Sequence, residues 1–465
     1  MKQFIWLFLS LFLIACDQAA IDQQQATDTP ETATNETPEG TIQPDWAKNA
    51  TIYEVNLRQY TPEGTINAFA ESLPRLKEMG VDILWFMPVH PISEERRKGT
   101  LGSYYAIDDY RAINPDYGTM EDFDNMVAKI HELGMYLILD WVPNHTGWGH
   151  SWITEHPEYY TKNAAGEITD PIKEDGTSWG WTDVADLNYD SPDMRKAMIA
   201  ELEFWVREHD IDGYRCDVAS EVPFDFWDEA VPPLRAMKNV FMLAEAEKME
   251  HLNSRNFAMN YGWEFHHAMN DVAKGDKKAH YLDTVLNKKK EEIEYGYQMQ
   301  FTTNHDENSW NGTVFERLGD GHLTFAVLAS TVPGMPLVYS GQEAPVEKRL
   351  EFFEKDAIEW NDYQYHDFYK TLLNFKKENP ALWNGEHGGE LVKVSTDKDD
   401  QVYLFTRKKG ENEILVMLNL SGESQEATFT LEGQYTNIFD GATMTFKGTN
   451  NQTLGPWEYK LMSRL

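Results

Sequence analysis

The residues that could do chemistry are acids with basic partners, and they sit at the ends of short apolar runs. Ile211-Asp212-Gly213-Tyr214-Arg215-Cys216 reads as a buried strand that runs into Asp217. Period two puts Arg215 and Asp217 on one face. Asp140 ends a second apolar run, with Asn144 and His145 just beyond, and Glu245 ends a third, after Leu243-Ala244. Asn304, His305 and Asp306 end a fourth. Charge at the end of a buried strand is costly unless it is well paired or put to use. Taken alone, Arg215 and Asp217 read equally as an ion pair stitching two strands and as part of a site. Several acid-bearing strand ends together are harder to explain as structure, because Asp217, Glu245 and Asp306 would repel one another.

Three carboxylates with histidines and an arginine suit cleavage of a glycosidic bond. One carboxylate attacks the anomeric carbon or activates water, and another, with a raised pKa, protonates the leaving oxygen. Arg215 beside Asp217 should lower the pKa of that acid and keep it an anion, which suits a nucleophile. Glu245 ends an apolar strand without an adjacent base in sequence, so it is the candidate for a raised pKa and the acid/base role.

The elements that must hold these residues alternate. Strand-like segments at 51–56, 82–87, 135–140, 211–216, 240–244, 263–266, 299–303 and 337–339 are separated by stretches with helical spacing, clearest at 67–79, 120–133, 195–208, 282–294, 323–331 and 368–377. Eight such units imply an α/β fold, a closed (β/α)8 barrel formed by residues 44–141 and 189–380. Residues 142–188 are too long for a loop after the third strand and read as a small inserted domain. From 381 to 465 the pattern turns to strict alternation, as in 401–406 and 414–418, and predicts a C-terminal antiparallel β-sandwich domain.

Composition narrows the partners. The chain has 465 residues, 41% hydrophobic and 13% aromatic, with a formal charge of −36. That charge argues against nucleic acid, whose phosphates need Lys and Arg, and suits a neutral ligand and a soluble surface. Lys2 and the apolar run from Phe4 to Ala15 form a leader too short to cross a bilayer comfortably. Its end, Leu13-Ile14-Ala15-Cys16, resembles a bacterial lipobox. That resemblance implies cleavage after residue 15, lipidation of Cys16 and export to the cell surface or the periplasmic face of a bacterial membrane. Residues 16–43, rich in Gln, Thr, Glu and Pro, read as a tether. Cys216 reads as an inert core thiol.

At this point the chain resembles the α-amylase superfamily of glycoside hydrolases. The residues that carry the likeness are Asp140-Trp141-Val142-Pro143-Asn144-His145, Gly213-Tyr214-Arg215-Cys216-Asp217, Ala244-Glu245 and Phe301-Thr302-Thr303-Asn304-His305-Asp306. Tyr105-Ala106-Ile107-Asp108-Asp109-Tyr110, Asp186-Leu187-Asn188 and the run from Gly334 to Glu343 add to it. The resemblance implies a retaining double displacement on α-1,4-linked starch, glycogen or maltooligosaccharides. Asp217 would be the nucleophile, Glu245 the general acid/base, and Asp306 would hold sugar hydroxyls. Tyr105, Asp140, His145, Arg215 and His305 would line the same subsite. Retention requires the two reacting carboxyls to lie about 5–5.5 Å apart.

Two features depart from the common pattern. Many α-amylases carry Lys-His three and four residues after the nucleophile, where this chain has Ser220 and Glu221. The stretch Asp217-Val218-Ala219-Ser220-Glu221 is similar to the neopullulanase and cyclomaltodextrinase branch, which leaves α-1,6, cyclic-substrate and transglycosylase activity open. A calcium ion is implied through Asn144, Asp186 and a backbone carbonyl. A non-catalytic surface glucan-binding lipoprotein is the alternative of another class, and the intact Asp217, Glu245 and Asp306 argue against it. Among Trp148, Trp152, Trp179 and Trp181 of the insert, two are expected in its core and two as faces for sugar stacking.

Overall fold

The computed structural model describes residues 43–173 and 175–464. The leader, Cys16 and the tether up to residue 42 lie outside the described residues, and among the described residues no helix is long and apolar enough to cross a membrane.

Eight parallel strands close into a barrel: β1 (Ile52–Val55), β2 (Ile83–Phe86), β3 (Tyr136–Trp141), β4 (Gly213–Cys216), β5 (Phe241–Ala244), β6 (Met259–Tyr261), β7 (Tyr297–Gln300) and β8 (Met335–Tyr339). Each strand pairs with its neighbours in the chain, and β8 closes on β1 through Ile52–Leu337 and Tyr53–Val338. Both faces of the strands are buried, and β2 and β5 are apolar throughout, while β7 buries Gln298 and Gln300, whose side-chain amides donate to the carbonyls of Tyr261 and Pro333. Period two then sorts the side chains. Ile83 and Trp85 of β2 fill the lumen with Phe241, Leu243, Met259 and Met299, while Leu84 and Phe86 pack under the surrounding helices.

The same parity places the site. On β1 the lumen-facing set is Ile52 then Glu54; on β3 it is Ile138 then Asp140; on β4 it is Gly213, Arg215 and then Asp217. Each series starts apolar at the bottom of the barrel and ends polar at its C-terminal mouth, where barrel enzymes place chemistry. Gly213 is required where β4 passes β5, since a Cβ there would sit 1.9 Å from the Phe241 carbonyl oxygen, and its φ of 147° is one that side chains rarely adopt.

Between β3 and the long helix Pro192–His209, the chain leaves the barrel to build the insert around two short antiparallel strands, His145–Gly147 and Val184–Asp186. Trp148 and Trp152 are buried there. Past helix His366–Glu378, a six-stranded antiparallel sheet from Glu390 to Arg464 is covered on one face by a two-stranded pair, Gln425–Thr430 with Thr449–Leu454. Val402, Leu404, Leu415 and Met417 form the core between the layers with Ala427 and Phe429. Tyr403, Phe405, Ile414 and Val416, of opposite parity, pack on Leu328 and Phe325 of the barrel helix His322–Thr331.

One expected element is of the other kind. Residues 263–266 do not form the sixth strand; they open the helix Trp263–Lys274, and the strand lies just before them at Met259–Tyr261. Phe265, Met269 and Val272 are buried at helical spacing, a pattern that a four-residue window is too short to show. The seventh strand likewise starts two residues earlier than the pattern suggests.

Candidate active site

The barrel mouth is organised around one fully buried guanidinium. Arg215 Nη1 donates to Asp140 Oδ1 and to Asp217 Oδ1, both at 2.8 Å, and Arg215 Nε donates to the Tyr261 hydroxyl at 3.1 Å. Its Nη2 lies 2.9 Å from Glu245 Oε1, an ion pair without hydrogen-bond alignment. The barrel produces this convergence because β3, β4 and β5 are adjacent, with Asp140 opposite Arg215 and Arg215 opposite Leu243 in register. Backbone ladder contacts continue past the strand ends, from Asp217 N–H to Trp141 O and from Glu245 N–H to Cys216 O, and fix both acids at the rim.

Asp140 is held from its other oxygen by Trp85 Nε1 and the Tyr105 hydroxyl, each at 3.1 Å. The Tyr105 hydroxyl also lies 2.8 Å from His305 Nε2, and the two rings stack at 5.6 Å. His305 Nδ1 sits 2.5 Å from Oε1 of the fully buried Glu54. His305 Nε2 is 3.3 Å from Asp306, whose side chain is the most open of the acids at 35% exposure. Glu54, Trp85 and Tyr261 are site residues that the sequence reading passed over.

Burial dominates the electrostatics. It pushes Asp217 up to about 6 and Glu245 up to about 7, with Arg215 pulling both down. Asp140 is raised to about 6 for the same reasons. Arg215 does lower Asp217, as expected, but one guanidinium is shared by three desolvated carboxylates and offsets only part of their burial, so the net shift is upward. Glu245 is raised chiefly by burial, with Arg215 pulling it down and Asp217 and Asp306 adding repulsion, and the Val218 N–H, 2.7 Å from its Oε2, lowers it only partly. Val218 holds that N–H in place with a left-handed backbone, φ 36°, strained for a β-branched residue. His305 goes the other way. Burial would lower it, but the charges of Asp306 and Glu54 raise it to about 9, so it is a second cation in the cluster.

Sequence comparison fits this arrangement. Residues 29–389 match the α-amylase catalytic domain, and residues 393–458 match the α-amylase C-terminal all-β domain. The chain belongs to the α-amylase family. It is a glycoside hydrolase of that type. Alpha-amylase 3 of Dictyoglomus thermophilum is 24% identical over 81% of this chain and 85% of its own. The cyclomaltodextrinase of a Bacillus species is 24% identical over 86% of this chain and 78% of its own. Among solved structures, a noncanonic maltogenic α-amylase of Thermotoga neapolitana superposes with a TM-score of 0.80 at 28% identity, over 90% of this chain and 99% of that one.

The remaining residues that the α-amylase resemblance singles out lie off the carboxylate cluster. His145 is on the first strand of the insert, where burial lowers it to about 3 and keeps it neutral. Its ring lies 5.9 Å from Trp181 and its Nδ1 3.3 Å from Asn144 Nδ2, and among the described residues it makes no hydrogen bond to the acids. Strand pairing places Asp186 across from His145 and so beside Asn144. Asp186 is pushed up to about 7 by burial, with Asp170 and Glu221 adding repulsion, and no cation among the described residues pairs with it. A buried acid among acids, on a strand whose next residue, Leu187, donates its N–H to the Asn144 carbonyl, offers hard oxygen donors of the kind a hard cation takes. Among the described residues no three His, Cys, Asp or Glu side chains form a cage, so backbone carbonyls would have to complete the shell. Trp179 and Trp181 stack on each other at 5.2 Å, with Trp179 39% exposed and Trp181 half-buried beneath it, so these two are the less buried pair of the insert.

Proposed function

We propose that the enzyme hydrolyses α-1,4-glucosidic bonds of starch-like α-glucans by a retaining double displacement. The observation that carries this reading is Arg215 bridging Asp217 and Glu245 at a mouth rimmed by Asp140, His305 and Asp306. Asp217 attacks the anomeric carbon as Glu245 gives its proton to the glycosidic oxygen, which leaves with the aglycone. The resulting ester on Asp217 is then attacked by a water whose proton returns to Glu245, and the sugar departs with its configuration kept. Glu245 accepts from Val218 N–H and faces Arg215, so the glycosidic oxygen must displace one of these contacts to receive the proton. Asp306, open to the mouth, binds sugar hydroxyls with Tyr105 and His305.

Asp217→Asn and Glu245→Gln each lose about a hundredfold or more of starch hydrolysis while circular dichroism stays unchanged. Full activity in either variant refutes the assignment. A branch reading is favoured at one place, the single 3₁₀ turn Ala219–Glu221 after the nucleophile, where Ser220 and Glu221 replace the common Lys-His. A product time course on amylose, pullulan and cyclodextrin separates amylase from neopullulanase-like or transglycosylating action. Asn144 and Asp186 would hold a structural calcium, and a melting temperature unmoved by chelation counts against it. Cys16 would carry the lipid, and Cys16→Ser should release the protein from membranes.

A further inference from the structure

Five large hydrophobic side chains are exposed among the described residues, and the most exposed aromatic is Trp310, at 51%. It sits four residues after Asp306, in a single π-turn, Glu307–Asn311. Trp310 contacts Phe352 at 5.2 Å and Phe353 at 5.9 Å, both on the segment after β8. Phe352 in turn lies nearly parallel to Tyr105, 6.2 Å away at 8°, and 6.5 Å from His305. A row of rings therefore leads from the catalytic cluster out to solvent.

Phe352 packs against the barrel core and on Tyr104, 5.3 Å away, and polar contacts hold the rest of the row. Ser309 Oγ donates to Leu350 O, and the Leu350 N–H donates to Asn308 Oδ1. Arg58 Nη1 donates to the Phe352 carbonyl at 3.1 Å. Among the described residues the Trp310 indole N–H has no protein partner. An aromatic face kept open beside a polar cleft, with a free donor at its edge, suits a ligand with an apolar face and peripheral hydroxyls.

We propose that Trp310, backed by Phe352 and Phe353, is a stacking subsite for a glucose unit of the α-glucan remote from the reacting ring. This rests on the glucan reading above and goes beyond it by naming where a longer chain gains its affinity. Rigid, pre-positioned rings lose little entropy on binding, so the subsite rewards chain length without acting on the bond being cut.

The test uses the full chain carrying Glu245→Gln, with calorimetric titration of maltose and maltohexaose. Adding Trp310→Ala weakens maltohexaose binding about tenfold, equivalent to about 1.4 kcal/mol, and leaves maltose binding unchanged. Trp310→Phe keeps most of the maltohexaose affinity and the packing on Phe352. Equal maltohexaose affinity with and without Trp310 overturns the subsite alone. So does a loss of the same size for both sugars, which would report a displaced loop. A Glu245→Gln parent that binds neither sugar overturns the glucan reading and this subsite together.

Discussion

Replacing Arg215 by methionine isolates what the guanidinium does. The side chain is fully buried and faces Asp140, Asp217 and Glu245 within 2.9 Å. Methionine fills much of the same volume and removes only the charge and the donors. In the native protein the three acids titrate at about 6, 6 and 7, above the values near 4 of an unfolded chain. An acid raised by folding binds more protons folded than unfolded, so its contribution falls as pH rises through that window. Arg215 is the largest influence lowering each of them, so its loss raises them further. At pH 8 the variant then carries uncompensated buried charge and is less stable by about 3–5 kcal/mol. At pH 5 the acids are protonated in both proteins, and two units of further rise on one acid are no longer felt, so the penalty shrinks by about 2–3 kcal/mol. Urea unfolding followed by tryptophan fluorescence at the two pH values reads the difference. A penalty equal at both, or larger at pH 5, refutes the view that Arg215 chiefly neutralises desolvated acids.

The same cluster sets the pH profile of catalysis. Activity falls below about 6 as Asp217 takes up a proton and above about 7 as Glu245 loses one, so kcat/KM on a maltooligosaccharide is a narrow bell with its optimum between. A plateau reaching to pH 9 contradicts this. Glu54→Gln removes the buried partner of His305. Asp306 and Glu54 together raise His305 to about 9, so its contribution is full below pH 6.5 and fades as pH rises through about 9; the variant removes the share of Glu54 and keeps that of Asp306, so the loss of stability across this window should shrink without vanishing in urea unfolding at pH 6 and pH 9.5. Gly213→Ala, forcing a Cβ against the Phe241 carbonyl, costs about 3 kcal/mol or more in a thermal melt, and a near-neutral effect would show that β4 and β5 can separate.

The barrel and most of the site are legible because both follow from period two. Asp140, Arg215 and Asp217 announce themselves as charges where lumen-facing positions should be apolar. Glu54 obeys the same parity on β1 and is missed because its partner, His305, lies 251 residues away. Trp85 and Tyr261 are missed for a different reason: an aromatic at a lumen position reads as core, and only the structure shows their polar edges turned to Asp140 and Arg215. Sequence adjacency pairs Arg215 with Asp217 correctly, yet it shows neither the burial of both nor the sharing of one guanidinium by three acids. In the insert, composition gives four tryptophans, and packing alone divides them into the buried Trp148 and Trp152 and a stacked pair, the exposed Trp179 on the half-buried Trp181.

In the proposed mechanism the acid/base must keep its proton, and the charge balance of the mouth accounts for that. Glu54, Asp140, Asp217, Glu245 and Asp306 meet two cations, Arg215 and His305. His305 faces Glu54 and Asp306 and also lowers Asp140, which leaves Arg215 as the main cation for Asp217 and Glu245. If Arg215 paired with Asp217 alone, that acid would be strongly stabilised as an anion and would attack weakly. Shared among three, it leaves Asp217 charged near neutral pH but poorly compensated, and it leaves the buried Glu245, repelled by Asp217 and Asp306, as the acid that holds a proton at the highest pH. Forming the glycosyl ester would remove the charge on Asp217, and with it part of the repulsion that raises Glu245. The pKa of Glu245 should then drop once its proton has gone to the leaving group, and rise again as the ester is hydrolysed. On the proposed double displacement, the surplus of acids over cations in this buried site would let one carboxylate serve first as acid and then as base.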